Sequence, residues 1–349
     1  MPRKTKLRDV AERLALSPTT VSEALRGLSR VKAETRERVR RAAAEMDYQP
    51  NRLVGAVMSE LRRARADSFR GTLAVIDFDE AGRRSAGANR FHAELLAGAG
   101  RRADELGFKL DLIGARAGRM STGRVVEIVK ARGARGVLVL PMMDLDLRRF
   151  DFEDAAVLYA DHVSGPGAPH SICADHYGAM MLAMERVRAL GYRRPGLVLQ
   201  DVHDRRLLHR WEAGHAMFRA HHAKALGMRC TPACVLPYAR GTGIDEERFF
   251  AWFETCGCDV IIAHHPQVKR LMERAGARVP ETHGFCCLNV INCEHPCAGL
   301  DLRPRLLGER AAELLIGQVL RYEGGPPERP LLTTMPVDWV DGPTLRAST

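Results

Sequence analysis

The amino-acid sequence predicts an all-α helix-turn-helix head followed by an α/β body of two doubly wound parallel-sheet lobes. Three short amphipathic helical patterns fill the first fifty residues, and a tight turn separates the first two. From Gly71 onward, apolar strand-like runs alternate with amphipathic helical stretches. Repeated β-α units predict parallel sheets with helices on both faces.

The length and composition set broad limits. A chain of 349 residues exceeds one ordinary domain, and its content of 46% hydrophobic and 28% charged residues predicts a soluble globular protein. No run approaches the roughly 18 to 20 apolar residues of a membrane span, and the N-terminus lacks an apolar signal core. We therefore expect neither a membrane partner nor export.

The net charge of +10 is unevenly distributed along the chain. Residues 1–70 carry 17 lysines and arginines against 9 acidic residues, whereas the remainder is nearly neutral. A basic head on a near-neutral body is typical of a module that binds phosphate groups. A solvated, arginine-rich surface is the alternative explanation.

The three helices of the head have recognisable faces and boundaries. The first helix places four apolar residues at i, i+3, i+4 and i+7: Leu7, Val10, Ala11 and Leu14. Ser17 supplies an N-cap and Pro18 a first-turn proline for the second helix, about residues 19–25. A third helix, about residues 33–46, braces this pair. This arrangement is the geometry that lays one helix in the major groove of DNA.

Residues 6–53 also resemble the DNA-binding head of the lactose/galactose repressor family. The matching pieces are LRDVAE, SPTTVSEAL, RV-x3-TRERV and Y-x-PNRL, in the family's order and spacing. The resemblance implies that Pro18, Thr19 and Glu23 face base edges, while Ser17, Thr20, Ser22 and Arg26 lie nearer phosphates. It implies the following set of DNA-binding residues: Lys6, Leu7, Ser17, Pro18, Thr19, Thr20, Ser22, Glu23, Arg26, Tyr48, Asn51, Arg52 and Val57.

Two positions of the head depart from the family pattern. Glu23 stands where the family often has a hydrogen-bond donor; a carboxylate accepts from the cytosine amino group and does not donate to guanine. Lys32 stands where a serine or threonine usually caps the third helix, which weakens the helix start by about 1 kcal/mol.

Residues 50–70 resemble the family's hinge helix and linker. In that family the segment folds when two copies meet in the minor groove and insert a leucine; Val57 occupies the leucine position here. Gly55 lowers the helix propensity by about 1 kcal/mol. In the family the inserted leucine kinks the DNA duplex. With the smaller Val57, either this kink is shallower or Met58 helps to fill the base step. An ordinary linker helix with a dimer-facing stripe is the alternative.

The body, residues 71–349, is predicted to contain two lobes that meet near residues 162–169. The strand-like runs span 72–78, 109–115, 136–141, 156–161, 196–200, 259–263 and 284–288. The helical stretches span 91–106, 122–131, 178–190, 210–222 and 267–275. We expect a first lobe of about 71–162 and 292–325, and a second of about 163–291 and 326–349. Ligands of such sheets bind beyond the carboxyl ends of the strands, here the cleft between the lobes.

The body resembles the periplasmic-binding-protein-like effector domain of the same family, through weaker motifs than the head. These are ADHYG at 174–178, LGYRRP at 190–195, RVPE at 278–281 and LGERAAELL at 307–315. The final segments at 327–330 and 333–337 resemble the family's last loop and strand. The resemblance implies an effector-binding and dimerisation domain at 71–349, after a head at 1–49.

Many positions of the expected pocket differ from the family. The candidate effector-binding residues are Phe78, Asp161, Arg205, Arg210, Trp211, His264, His265 and Asn289. Trp211 can stack on an apolar sugar face, while Asp161, Arg210 and Asn289 can hydrogen-bond hydroxyl groups. The alternatives are lobe packing for Trp211 and surface or interlobe hydrogen bonding for the histidines.

Three other functions fit the sequence less well. The nine cysteines, all from Cys173 onward, together with His264 and His265, suggest a metal- or thiol-sensing regulator. However, no pair has C-x2-C spacing, so we expect reduced and mostly buried thiols and no metal or other cofactor. The sequence contains no P-loop, G-x-S-x-G or H-E-x-x-H motif that would indicate an enzyme. A transport binding protein would carry a signal peptide and would lack the basic head.

The resemblance therefore implies a cytoplasmic, nucleoid-associated homodimer with two kinds of partner. Two heads related by a two-fold axis would bind a near-palindromic double-stranded operator. A small molecule, a sugar or sugar derivative, would bind in the cleft and gate repression.

Glu23 gives a first test of readout. We expect Glu23→Ala to change the preferred base at one half-site position, because the carboxylate accepts a hydrogen bond from cytosine. Selection from a random operator library, run in parallel on the parent protein and the variant, measures this preference. An unchanged motif would remove Glu23 from direct base readout.

Overall fold

The structure is a computed structural model of chain residues 1–349. It describes residues 7–25, 31–46, 69–79, 84–114, 120–142, 152, 155–163, 165, 167–237 and 244–347. In these residues no helix combines the length and apolar character needed to cross a lipid bilayer. The predicted hinge at 50–70 lies almost wholly outside the described residues.

The head contains three helices around a small apolar core. The helices are α1 (Leu7–Leu14), α2 (Pro18–Leu25) and α3 (Ala33–Glu45). Each contributes one fully buried valine to the core: Val10, Val21 and Val39. On the surface, Arg13 of α1 pairs with Glu45 of α3 at 2.6 Å. The predicted helix-turn-helix geometry is confirmed, with a three-residue connection, Ala15 to Ser17, between α1 and α2.

The helix caps of the head follow the sequence. The Ser17 hydroxyl accepts a hydrogen bond from the Thr20 backbone N–H at 3.0 Å, which satisfies one free donor of the first turn of α2. Lys32 precedes α3 and forms no side-chain cap. The predicted absence of a cap at this helix start is therefore observed.

The body alternates strands and helices in chain order. The strands are β1 (Gly71–Asp77), β2 (Phe108–Gly114), β3 (Gly136–Val139), β4 (Ala156–Tyr159), β5 (His170–Ala174), β6 (Pro195–Gln200), β7 (Cys234–Leu236), β8 (Val260–Ala263), β9 (Gly284–Cys287), β10 (Gly299–Asp301), β11 (Leu332–Met335) and β12 (Asp338–Val340). The helices are α4 (Ala86–Glu105), α5 (Thr122–Ala131), α6 (His176–Ala189), α7 (Asp201–Arg206), α8 (Arg210–His221), α9 (Glu246–Cys256), α10 (Gln267–Arg274) and α11 (Pro304–Arg321), with a 3-10 helix at Val290–Asn292.

The strands form two six-stranded sheets, one in each lobe. The first lobe has the order β11-β5-β4-β3-β1-β2 and the second has β12-β10-β9-β8-β6-β7. All pairs are parallel except β10 with β12. Separate apolar clusters cover the two faces of each sheet. The predicted doubly wound architecture is confirmed.

The lobe boundaries differ from those predicted. The predicted bounds put β5 and β11 in the second lobe, yet these strands pair with each other in the first sheet, where β5 also pairs with β4. Strand β10 was placed in the first lobe, yet it pairs with β9 and β12 in the second. The chain therefore changes lobes after β5, after β10 and between β11 and β12. Strands this short are assigned by their hydrogen-bonded neighbours, which periodicity alone does not specify.

The expectation of nine reduced thiols is wrong for two cysteines. Cys293 and Cys297 form a disulfide, and the other seven cysteines are free. The 3-10 helix redirects the chain after β9, and the next turn brings the two Cα atoms to 6.7 Å. This separation lies in the range that a disulfide bridges.

Helices α4 and α11 cross at two glycines in the first lobe. A Cβ atom added to Gly98 would overlap the carbonyl oxygen of Arg305, and one added to Gly308 would overlap that of Leu95. The close approach of the two backbones thus requires that both positions lack side chains. This crossing fixes α11 against the sheet.

Substitution at this crossing gives a stability test. We expect Gly98→Ala to lower the free energy of unfolding by about 1–3 kcal/mol, because the backbones must separate. Gly100→Ala, two residues along the same helix, is the matched control: its Cβ would lie 3.9 Å from a Leu110 methyl. There alanine gains up to about 1 kcal/mol from helix propensity. Equal effects in urea unfolding would contradict this packing.

Candidate functional site

The cleft between the lobes collects residues that follow the carboxyl ends of strands. Asp161 follows β4 in the first sheet, while His264 follows β8 and Asn289 follows β9 in the second. Parallel sheets bind ligands beyond these strand ends because loops from several strands converge there. The cleft is therefore the candidate site.

Arg206 and Asp161 form an ion pair across the cleft. Arg206 ends α7 in the second lobe, and its Nη2 lies 3.3 Å from Oδ2 of Asp161 in the first. The two side chains are only 17% and 9% exposed. Nη1 of Arg206 also donates to the carbonyl oxygen of Met142, after β3, at 3.4 Å. One guanidinium thus contacts two strand ends of the opposite lobe.

The surroundings of this pair are polar but desolvated. The backbone N–H of His162 donates to Oδ1 of Asp161 at 2.8 Å. Burial lowers the pKa of Arg206, but the charge of Asp161 and the neighbouring Tyr159 and Asp79 raise it further, so the guanidinium stays charged. Burial beside Asp161 also raises the pKa of Tyr159. Arg206 therefore keeps a positive charge within the cleft, paired with Asp161.

Four histidines surround Arg206 and are held neutral. Burial, followed by positively charged or histidine neighbours that include Arg206, lowers the pKa of His92, His176 and His264 to about 3. Burial and His264 lower the pKa of His203 well below its usual value, and these two rings lie 5.0 Å apart. A neutral imidazole offers one donor and one acceptor, so these rings can donate hydrogen bonds to hydroxyl groups and accept hydrogen bonds from them.

Several buried polar atoms of the cleft have no hydrogen-bond partner within the described part of the protein. These are Nδ1 of His92, His176 and His203, both ring nitrogens of His162, Nε of Arg84 and Arg206, and Oδ1 of Asn289. Oδ2 of Asp161 has its ion pair with Arg206 but no hydrogen bond. Buried polar groups are nearly always satisfied, so such a concentration calls for water or a ligand. The two guanidinium nitrogens are donors and the two side-chain oxygens are acceptors, while each neutral imidazole offers one donor and one acceptor.

The predicted effector residues fall into three environments. Asp161, His264 and Asn289 line the cleft. The positive charge of Arg210 adds to the effect of burial in lowering the pKa of His162 and His176. Trp211 is 1% exposed and packs edge-to-face on His176 at 5.0 Å within the second-lobe core. It therefore occupies the packing position that was the alternative.

The other predicted residues lie outside the polar cluster. Arg205 is 68% exposed and pairs with Asp201, so it does not reach the cleft. Phe78 is buried in the core of the first lobe. Nδ1 of His265 accepts the backbone N–H of Gln267 at 3.2 Å, which caps α10.

Sequence reasoning missed six residues of the cluster: Arg84, His92, His162, His176, His203 and Arg206. The adjacent pair Arg205 and Arg206 gave a usable signal, because neighbours on a helix differ by about 100° in direction and only one can face inward. Choosing between them required the start of α7. That helix directly follows β6, without an intervening loop.

A second contact between the lobes lies beside the cleft. Arg90 of α4 donates from Nε to the carbonyl oxygen of Ile291 at 2.9 Å and from Nη2 to that of Cys293 at 3.1 Å. A nearby open cavity of about 540 Å³ is lined by residues of α4, the 3-10 helix and α11. None of the cleft histidines lines that cavity, so we place the candidate site at the polar cluster.

The predicted DNA-binding residues are described only in part. Ser17 and Thr20 lie at the exposed start of α2, where their hydroxyl oxygens are 2.8 Å apart. Leu7 lies in α1, and Pro18, Thr19, Ser22 and Glu23 lie in α2. The remaining residues lie outside the described part of the chain: Lys6, Arg26, Tyr48, Asn51, Arg52 and Val57.

Comparison with known proteins finds similarity in the head at the level of sequence. Residues 6–51 match the family described as bacterial regulatory proteins, lacI family. A segment of 46 residues is 56% identical to the HTH-type transcriptional regulator AglR of Rhizobium meliloti (strain 1021). That segment spans 13% of this chain and 13% of the relative.

Comparison with solved structures finds similarity over the full length at the level of fold. A complex of the transcriptional regulator CelR with cellobiose has a TM-score of 0.59 and 19% identity, covering 98% of this chain and all of that one. A lac repressor dimer bound to operator and the anti-inducer ONPF has a TM-score of 0.57 and 20% identity, covering 99% and 100%. At these identities the likeness establishes the fold.

The buried histidines generate a pH prediction. The folded pKa of His92 and His176 is about 3 and that of His215 about 4, against 6.5 for the free side chain. Below pH 6.5 the unfolded chain therefore binds more protons, and stability falls as the pH decreases. Each such histidine contributes a loss of roughly 1–2 kcal/mol between pH 6.5 and 5.

We expect His92→Gln to reduce the pH dependence of urea unfolding between pH 7 and 5 by that amount. Unfolding at pH 8, where the free imidazole is neutral, measures the packing cost of the substitution separately. A variant with the same loss of stability on acidification as the parent would contradict the assignment of His92 as a buried neutral group.

Proposed function

Because the N-terminal domain of this chain belongs to the lacI family of bacterial regulatory proteins, we propose that the chain is a sequence-specific DNA-binding transcriptional repressor. The observation that carries this proposal is the family match of residues 6–51 on a helix-turn-helix with a capped second helix. The basic charge of residues 1–70 supports contact with phosphates.

We propose that two copies bind one near-palindromic operator. A helix-turn-helix reads a half-site, and a two-fold dimer places two such helices about one turn of DNA apart. In this arrangement α2 enters the major groove, and residues 50–70 act as the hinge between head and body. The lac repressor structure with a similar fold is a dimer on its operator, which supports the same assembly here.

The effector of this regulator is a sugar or sugar derivative bound in the interlobe cleft. The unpaired buried donors and acceptors around Arg206 and Asp161 match a ligand rich in hydroxyl oxygens. Arg206 takes the role first predicted for Arg205. The cellobiose bound to the regulator CelR supports this class of ligand.

The coupling is a population shift between two lobe arrangements. A ligand that binds between Asp161 and Arg206 contributes contacts to both lobes and so favours one arrangement over the other. A coupling of about 1–3 kcal/mol would change operator affinity roughly 5- to 150-fold.

Operator binding is tested with the full chain. We expect selection from random duplex DNA to enrich a near-palindrome, with affinity for it falling steeply as salt rises, because basic side chains displace counterions. Fluorescence anisotropy at several salt concentrations measures both properties. Binding without sequence preference, with and without a metabolite mixture, would contradict the proposal.

The effector site is tested by exchanging neighbouring arginines. After a thermal-shift screen of sugars, sugar acids and sugar phosphates, we expect Arg206→Met to weaken the binding of a hit about 10- to 100-fold, the value of a charge-assisted hydrogen bond. Arg205→Met, one residue away and exposed, is the matched control and keeps the parent affinity. Equal losses of affinity in both variants, or no loss in Arg206→Met, would show that the effector binds elsewhere.

A further inference from the structure

Three cysteine sulfur atoms converge where β9 ends in the second lobe. The Sγ atoms of Cys287, Cys293 and Cys297, here called the thiol triad, all lie within 4.8 Å of one another. Cys293 and Cys297 form a disulfide, while the Cys287 thiol is buried and donates to the carbonyl oxygen of Asn289 at 3.1 Å. The triad is separate from the histidine cluster of the cleft.

The backbone around the triad fixes these positions. Cys287 ends β9, and its N–H donates to the carbonyl oxygen of Ala298 at 2.9 Å, which ties it to the residue after Cys297. The 3-10 helix closes with the N–H of Cys293 donating to Val290 at 3.0 Å. All three sulfur atoms sit in or against one apolar cluster of the second lobe. Reduction of the disulfide would therefore leave three thiols facing one point.

The spacing of the sulfur atoms suits a single metal ion. Metal–thiolate bonds of about 2.3 Å place the sulfurs of one ion roughly 4 Å apart. The three sulfur atoms already lie within 4.8 Å of one another, so opening the disulfide would require only a small adjustment to reach this spacing. In the described residues, the triad includes no fourth histidine, cysteine or carboxylate ligand. Structural zinc sites use four ligands, whereas soft thiolate sets of lower number favour Cu(I).

We propose that the reduced thiol triad binds one Cu(I) ion through three thiolates. A dithiol reductant first transfers two electrons and two protons to the Cys293–Cys297 disulfide and becomes a disulfide itself. Binding then displaces the three thiol protons, and each sulfur forms one bond to the ion.

The bound ion would act on the contact between the lobes. The Arg90 guanidinium, from the first lobe, holds the backbone carbonyls of Ile291 and Cys293 and brings a positive charge to this loop. Asn292 lies so close to α4 that a Cβ on Gly87 would be 2.6 Å from its Cα. Its side-chain amide also donates to the His264 carbonyl at 3.2 Å. A change of loop conformation at the triad thus reaches both α4 and the cleft.

The test is an anaerobic titration of the reduced full chain with Cu(I) in competition with bicinchoninate. We expect one equivalent to bind, and Cys287→Ser and Cys293→Ser each to weaken the affinity at least 100-fold. Cys286→Ser is the matched control: Cys286 is equally buried on the same strand but faces the opposite core, so the parent affinity remains. The absence of a stoichiometric site, or equal affinity in Cys287→Ser, would overturn the proposal.

A second measurement needs no variant. Cu(I) should protect Cys293 from alkylation in the reduced parent protein at least 10-fold, while the half-buried Cys230 reacts at its unprotected rate. Copper X-ray absorption should give three sulfur neighbours at about 2.3 Å. Unprotected Cys293, or a two-sulfur fit, would refute the three-thiolate site. Both readouts are independent of DNA and sugar binding.

Discussion

The charge of Arg206 is the constraint on which the cleft depends. Moving a guanidinium from water into a protein interior costs several kcal/mol unless an acidic partner and hydrogen-bond acceptors replace the solvent. Asp161 and the Met142 carbonyl supply these groups, and both belong to the opposite lobe. The arrangement of the two lobes is therefore linked to the solvation of one side chain. Any ligand that offers oxygen atoms to Arg206 competes with Asp161 and changes that link.

The same charge adds to the effect of burial on its neighbours. Because burial, and after it the charge of Arg206, disfavours protonation, His92, His176 and His264 remain neutral and keep one donor and one acceptor each. The cleft is thus rich in hydrogen-bonding groups while its fixed charges are largely paired. A polyhydroxylated ligand can meet such a surface without a large desolvation cost, because hydroxyl groups donate and accept in either direction.

The sequence patterns predicted those features that depend on local periodicity. The helix at 122–131 has the predicted bounds, and the apolar run at 136–141 contains β3. The three-residue strands β7 and β10 are too short to show a periodicity and were missed. Strand β5 was assigned to the wrong lobe although it pairs with the preceding strand β4 as well as with the distant β11. At the site, Asp161 and Asn289 followed from the resemblance to family positions after the strands. The choice of Arg206 over Arg205, and the burial of Trp211, depend on packing that no local pattern encodes.

The most direct test of this account is a double-mutant cycle across the cleft. Asp161→Asn, Arg206→Met and the double variant would be compared by urea unfolding at neutral pH. Each single change leaves a buried group unpaired and should cost about 3–5 kcal/mol, whereas the double variant should lose less than the sum by at least about 1 kcal/mol. Losses that add to within about 0.5 kcal/mol would contradict an ion pair that joins the lobes.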